Sequence, residues 1–190
     1  MLLFVFGESV AAQRTVTSPK EWLDAAVRDV VFQRSGTSYD DDVSWLTALD
    51  ASGREIGGLT EIGHCSSLRN TDFRSHAIDA LSALTELVAL QCAYLDDNGI
   101  EDLSPLRSVR GLIALVPGGS AIADIAPLKG FVFLEQLNLS ATDASDISIL
   151  VDPLDLEHVD LRDTALHLGA GSAASAVIDR LRDRSAKIWT

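Results

Sequence analysis

Leucine stands at Leu46, Leu68, Leu90, Leu112, Leu134 and Leu156, six positions 22 residues apart, and each opens a segment with the same order of apolar and polar residues. Five residues after each opening leucine come Ala51, Phe73, Leu95, Pro117, Leu139 and Leu161. Ten after it come Ile56, Ile78, Ile100, Ile122, Ala144 and Leu166. Two further columns, thirteen and sixteen residues on, read Leu59, Leu81, Leu103, Ile125, Ile147 and Ile62, Leu84, Leu106, Leu128, Leu150. A unit this short cannot bury its apolar side alone, so consecutive copies must stack and share one core.

Within a copy, Leu137-Asn138-Leu139-Ser140 alternates apolar and polar, the period of a half-buried strand. A turn follows, and then the run Ile-x-Asp-Leu/Ile-x-Pro-Leu at Ile100 to Leu106 and Ile122 to Leu128. Pro105 and Pro127 forbid a long helix in this return segment, which is expected to be extended or a single 3₁₀ turn.

These columns resemble the leucine-rich repeat family, in particular its 22-residue class of internalin-like and phosphatase-regulator-like proteins. The resemblance implies an α/β solenoid, a right-handed superhelix with parallel strands on its concave face. The family places Asn eight residues after the opening leucine, to satisfy turn backbone groups. Here that column reads Arg54, His76, Asn98, Ser120, Thr142 and Thr164. Only Asn98 matches. The hydroxyls can do part of the work, and the first two units are expected to be less regular.

Both ends are expected to carry a helix. Ser18-Pro19-Lys20-Glu21 is a capping box, followed at helical spacing by Trp22, Leu23, Ala26, Val27, Val30 and Val31, which predicts a helix over about residues 18–33. With a strand-like start before it and an acidic loop holding Asp40, Asp41 and Asp42 after it, residues 1–45 form the predicted N-terminal cap. Residues 46–166 hold six repeats. Residues 167–190 form a C-terminal helical cap: Gly169 and Gly171 break the pattern, Ser172 opens a helix with Ala176, Val177, Ile178 and Leu181 on its apolar side, and Ile188 and Trp189 are expected to pack behind it.

In such a solenoid the outward residues fall two, four and six positions after each opening leucine. They form three rows: Ala48, Asn70, Cys92, Ala114, Gln136, His158; then Asp50, Asp72, Tyr94, Val116, Asn138, Asp160; then Ser52, Arg74, Asp96, Gly118, Ser140, Arg162. The predicted partner-binding residues are drawn from these rows. Tyr94 and Val116, flanked by Cys92, are the apolar anchors, since a central aromatic rimmed by polar groups is what binding hot spots look like. Asp50, Asp72 and Asp160 are acceptors for cationic groups, and Arg74, Asn138 and His158 are orienting polar contacts. Asp50 and Asp72 on adjacent strands repel each other, a cost that a bound Lys or Arg would offset, and Arg74 beside Asp96 is expected to form a cross-strand pair.

Charge sharpens the choice of partner. Fifteen Lys and Arg against 28 Asp and Glu leave a net charge of −13 in 190 residues. That disfavours nucleic acid and anionic membranes, which need clustered cations, and favours a partner with a basic surface. The two cysteines occupy different columns, Cys65 among core positions and Cys92 facing outward, so no disulfide is expected and a reducing, cytoplasmic setting follows. Residues 1–13 make a poor signal peptide, with no basic residue ahead of a short apolar run. Few lysines beside many Ala, Asp and Arg suggest a bacterial source.

Catalysis and cofactors are not expected. Cys92 and His158 lie three strands apart, about 14 Å, far beyond the ~3 Å of a nucleophile and base. No phosphate loop, His-Glu-x-x-His or Cys-x-x-Cys occurs, and the Asp40 to Asp42 run lacks further metal ligands nearby. The expected function is a non-catalytic protein-interaction module, inhibitor-like, immunity-like or an adaptor. The alternative is a sensor or scaffold segment of a larger signalling or defence protein, and the third an enzyme with an unrecognised site.

Overall fold

Each repeat folds as one coil: a three-residue strand, a turn, and a return through a 3₁₀ segment. The computed structural model describes residues 44–51, 56, 58–59, 62–151 and 155–190. The predicted N-terminal start, the helix over residues 18–33 and the acidic loop lie outside these residues, as do Ser52 and Arg54. The strands are β1 (Ala48–Asp50), β2 (Asn70–Asp72), β3 (Cys92–Tyr94), β4 (Ala114–Val116), β5 (Gln136–Asn138), β6 (His158–Asp160) and β7 (Lys187–Trp189). Among the described residues they form one parallel sheet in chain order, β1 to β7. The register of β1 to β6 advances by 22 residues per strand, pairing Asp50 with Asp72, Asp72 with Tyr94, and Tyr94 with Val116.

The apolar columns form the core. The opening leucines, the column from Ala51 to Leu161, and the columns from Leu59 to Ile147 and Ile62 to Leu150 are buried, and Cys65, Leu87, Val109 and Phe131 close the return side. Burying one such side chain stabilises the fold by about 1.5–3 kcal/mol, so stacking supplies what the short strands and turns cannot.

The returns are 3₁₀ turns at Ile62–His64, Ser82–Glu86, Ser104–Ser108, Ala126–Leu128 and Ser148–Val151. Aspartate starts three of them: Asp102, Asp124 and Asp146 each accept from the backbone N–H two residues on, at 2.7, 2.8 and 2.8 Å. That hydrogen bond holds the carboxyls of Asp102 and Asp146 below the ordinary range. The aspartate of the repeated run is thus a turn cap, and the proline after it sits in the first turn, where its missing N–H costs nothing.

The last unit differs. Helix α1 (Ala173–Asp183), capped by Ser172 Oγ accepting from Ser175 N–H, takes the place of the 3₁₀ return and buries Val177, Ile178 and Leu181. The chain then turns through Ser185 (φ 69°) into β7, whose Lys187 pairs with His158 and Trp189 with Asp160. Ile188 packs, as the sequence suggests, against the core that holds the helix's Val177, Ile178 and Leu181, whereas Trp189 is exposed and stacks on His158. Ile188 and Trp189 both continue the sheet, because a helix spans more chain than a 3₁₀ return and delivers the next strand late.

Candidate protein-interaction face

The alternation of each strand sends its middle residue into the core and its flanking residues to the other face of the sheet. Asp50, Asp72, Tyr94, Val116, Asn138 and Asp160 fall in one row along the sheet, Val116 beside Tyr94 in register and the others at the matching positions of β1, β2, β5 and β6. Cys92 and His158 stand in the row before it, two residues earlier in β3 and β6.

The charges are arranged differently from the expected cross-strand scheme. Arg74 turns back onto its own strand: its Nε donates to Asp72 Oδ1 at 2.9 Å and its NH2 to Oδ2 at 2.5 Å, a bidentate pair. Asp72 is only 3% exposed, so this guanidinium supplies internally the compensation that a bound cation was expected to provide. The same device recurs two residues apart in β6, where Arg162 Nε donates to Asp160 Oδ1 at 2.9 Å and holds that carboxyl below the ordinary range. Asp72 and Asp160 are therefore already ion-paired. Replacing Asp72 by Lys would set two cations against each other in a buried position, which makes it a poor probe of binding.

Arg74 also lies over the Tyr94 ring, 5.8 Å from its centroid, within cation–π range. Burial pushes the Tyr94 hydroxyl up, and burial followed by Glu135 pushes up the Cys92 thiol, so Cys92 is a poor nucleophile. Cys65 is fully buried, and burial raises it to about 11. Both cysteines are free thiols. His158 stacks on Trp189 with ring centroids 6.0 Å apart, so β7 adds an aromatic to the row that the sequence reading ended at β6.

Asp96 does not pair with Arg74. Its Oδ1 accepts from Asn138 Nδ2 at 3.1 Å, across β4, because Gly118 between them has no side chain. Asp96 is half-buried, and desolvation raises it to about 6. Immediately after the strands a column of residues turns left-handed: Ser75, Asp97, Gly119, Ala141 and Asp163, with φ between 52° and 68°. This column was not read from the sequence. Its signal is a bias to Gly, Asp and Ser seven residues after the opening leucine.

In the Asn column, Asn98, Thr142 and Thr164 satisfy turn backbone groups, whereas the buried Ser120 hydroxyl has no hydrogen-bond partner among the described residues. Asn98 Nδ2 donates to Phe73 O and Leu95 O while its Oδ1 accepts from Ile78 N–H. Thr142 and Thr164 hydroxyls donate to Leu139 O and Leu161 O. Among the described residues no group of three or more His, Cys, Asp and Glu could hold a metal, and no helix is long and apolar enough to cross a membrane.

A parallel sheet built of 22-residue coils, with an asparagine and hydroxyl column behind it, defines a leucine-rich repeat solenoid. No family model and no curated protein matches the chain. Among solved structures it is similar to an internalin (InlF) of Listeria monocytogenes, with a TM-score of 0.66 and 18% identity over 88% of this chain and 54% of that one. It is also similar to a leucine-rich repeat protein of Leptospira interrogans, with a TM-score of 0.57 and 14% identity over 76% and 42%. Internalin C2 of Listeria monocytogenes gives a TM-score of 0.50 and 18% identity over 89% and 91%. The chain thus spans about half the length of InlF.

Proposed function

We propose that the protein is a non-catalytic interaction module whose concave sheet face binds a protein partner with a basic surface. The observation that carries this reading is the Tyr94–Val116 pair, adjacent in register and half-buried in the middle of a row otherwise made of Asp50, Asp72, Asn138 and Asp160. An apolar centre with a polar rim suits a partner side chain that is desolvated on binding. The net charge of −13 would steer a basic partner toward it. Cys92, Asp96, Arg74 and His158 complete the contact surface, with Arg74 orienting Tyr94 rather than receiving an anion.

The test is retention of lysate proteins on the immobilised chain at two salt concentrations, read by mass spectrometry, beside a Tyr94→Ala, Val116→Lys variant. A basic protein retained at low salt, weakened at high salt and lost from the variant supports the reading. Retention that survives both changes places the interaction elsewhere on the molecule. An inhibitor or immunity-like role and an adaptor role share this geometry, and the identity of the retained protein separates them.

A further inference from the structure

Most of the exposed large apolar side chains lie on one edge of the solenoid, away from the Tyr94 row. Six are exposed among the described residues, and four of them, Trp45, Val88, Val132 and Phe133, occupy the two positions ahead of an opening leucine, where the return enters the strand. Val88 is 66% exposed and Phe133 59%. We propose that this edge is a self-association surface that takes a second copy of the same chain across a two-fold axis and leaves the Tyr94 and Val116 row open on both copies.

The order of charge along the edge selects that occupant. One residue after each leucine, backbone hydrogen bonds stack Arg69, Gln91, Ile113, Glu135 and Glu157 on successive coils: the N–H of Gln91 donates to Arg69 O, that of Ile113 to Gln91 O, that of Glu135 to Ile113 O and that of Glu157 to Glu135 O. The ladder is positive at one end, negative at the other and apolar at its centre. Arg69 and Glu157 each stand two strand spacings, about 9.6 Å, from Ile113. Arg69, Glu135 and Glu157 are exposed, and among the described residues none of them has a salt-bridge partner within the chain. A two-fold axis beside Ile113 reverses the order on the second copy, setting Arg69 against Glu157 and the Gln91 amide against Glu135, the self-complementarity that an isologous interface requires.

The apolar residues match under the same operation. Val88 stands one coil before Arg110 and Gly111, and Val132 one coil after them, so Val88 of one copy faces Val132 of the other. Phe133 faces Ala89 and the neighbouring Gly111, where the missing side chain leaves room: even a Cβ there would meet only the carbonyl oxygens of Leu90 and Val88, at 3.5 and 3.8 Å. Arg110 falls on the axis, where two cations would repel, but it is drawn sideways onto the neighbouring coil, its Nη1 donating to Gly130 O at 3.4 Å. Four strand spacings, about 19 Å, make a small and reversible interface, and the repulsion of two chains of net charge −13 weakens it further. A foreign partner would need the opposite order of charge on its own surface, which a second copy supplies by symmetry.

Sedimentation velocity of the 190-residue chain, from about 1 µM to about 500 µM at physiological salt, checks this. The mass should rise with concentration from 20.3 kDa toward twice that value. Phe133→Glu, at an exposed position where thermal unfolding should not change, is expected to weaken association about tenfold or more. Arg69→Glu and Glu157→Arg each set like charges together at both ends of the homodimer and should be monomeric alone. Mixed in equal amounts they restore both opposite-charge pairs in a heterodimer, which should form. The Tyr94→Ala, Val116→Lys variant should dimerise like the parent. A chain that is monomeric throughout, a dimer that survives Phe133→Glu or is lost in the Tyr94, Val116 variant, or a mixture that associates no better than its components overturns the proposal. So does a monomeric chain that loses its lysate partner through Phe133→Glu, which would give the edge to a foreign protein.

Discussion

The side-chain amide of Asn138 donates to Asp96 Oδ1 at 3.1 Å although a whole strand, β4, runs between the two residues. The contact exists because Gly118 leaves the intervening position empty, and it fixes a carboxylate that burial has raised to about 6. Stability then depends on pH with a definite sign. Between the ordinary carboxylate range near ~4 and about 6, the folded state binds more protons at Asp96 than the unfolded state, so its contribution to stability falls as pH rises through that window and stays low above it. Asp96→Asn removes the titration. The stability of the variant relative to the parent should therefore grow from about pH 4 to about pH 6 and then level off. Urea midpoints of the two proteins across that range check this; a pH-independent difference would rule it out.

The bidentate Arg74–Asp72 pair has the opposite weighting of exposure and charge: the carboxylate is 4% exposed and the guanidinium 51%. Removing the exposed partner strands the buried one. Arg74→Ala is expected to destabilise by about 2 kcal/mol, near the cost of an unsatisfied buried polar group and well above that of a surface ion pair. Arg162→Ala in the equivalent Asp160 pair should cost less, since Asp160 keeps more contact with water, its side chain being 14% exposed. Denaturant unfolding of both variants gives the comparison. Equal losses would mean that burial of Asp72 does not set the cost.

The architecture was legible because burial recurs every 22 residues, and a column that must be apolar in six stacked coils leaves a trace no single strand could. What the period did not reveal are events that depend on one residue. Arg74 was read as facing Asp96 across the sheet, yet positions four and six of a coil share a face and a long side chain reaches its own strand's Asp72 first. The Asn138–Asp96 contact depends on the absence of a side chain at Gly118, and absence has no column signature. β7 was hidden because α1 changes the spacing, so that Lys187 follows its partner His158 by 29 residues instead of 22. Tyr94 and Val116, by contrast, lie side by side because each lies four residues after its leucine.

Ser120 offers a test of the column behind the face. It is 4% exposed, and its hydroxyl has no hydrogen-bond partner among the described residues, whereas Asn98, one coil earlier, bonds three backbone carbonyls and one N–H. The coils repeat, so an asparagine at position 120 would meet Leu95 O, Pro117 O and Ile100 N–H, the counterparts of Phe73 O, Leu95 O and Ile78 N–H. Asn98 shows that the column has room for the larger side chain. Ser120→Asn should therefore stabilise the protein by about 1 kcal/mol, the net value of buried hydrogen bonds after side-chain ordering. Ser120→Ala, which deletes a hydroxyl that bonds nothing, should change stability by less than about 0.5 kcal/mol. Thermal unfolding of the pair distinguishes the two cases. A loss in Ser120→Ala as large as about 1–3 kcal/mol would show that the hydroxyl is bonded after all, and no gain in Ser120→Asn would show that the coil there departs from the geometry around Asn98.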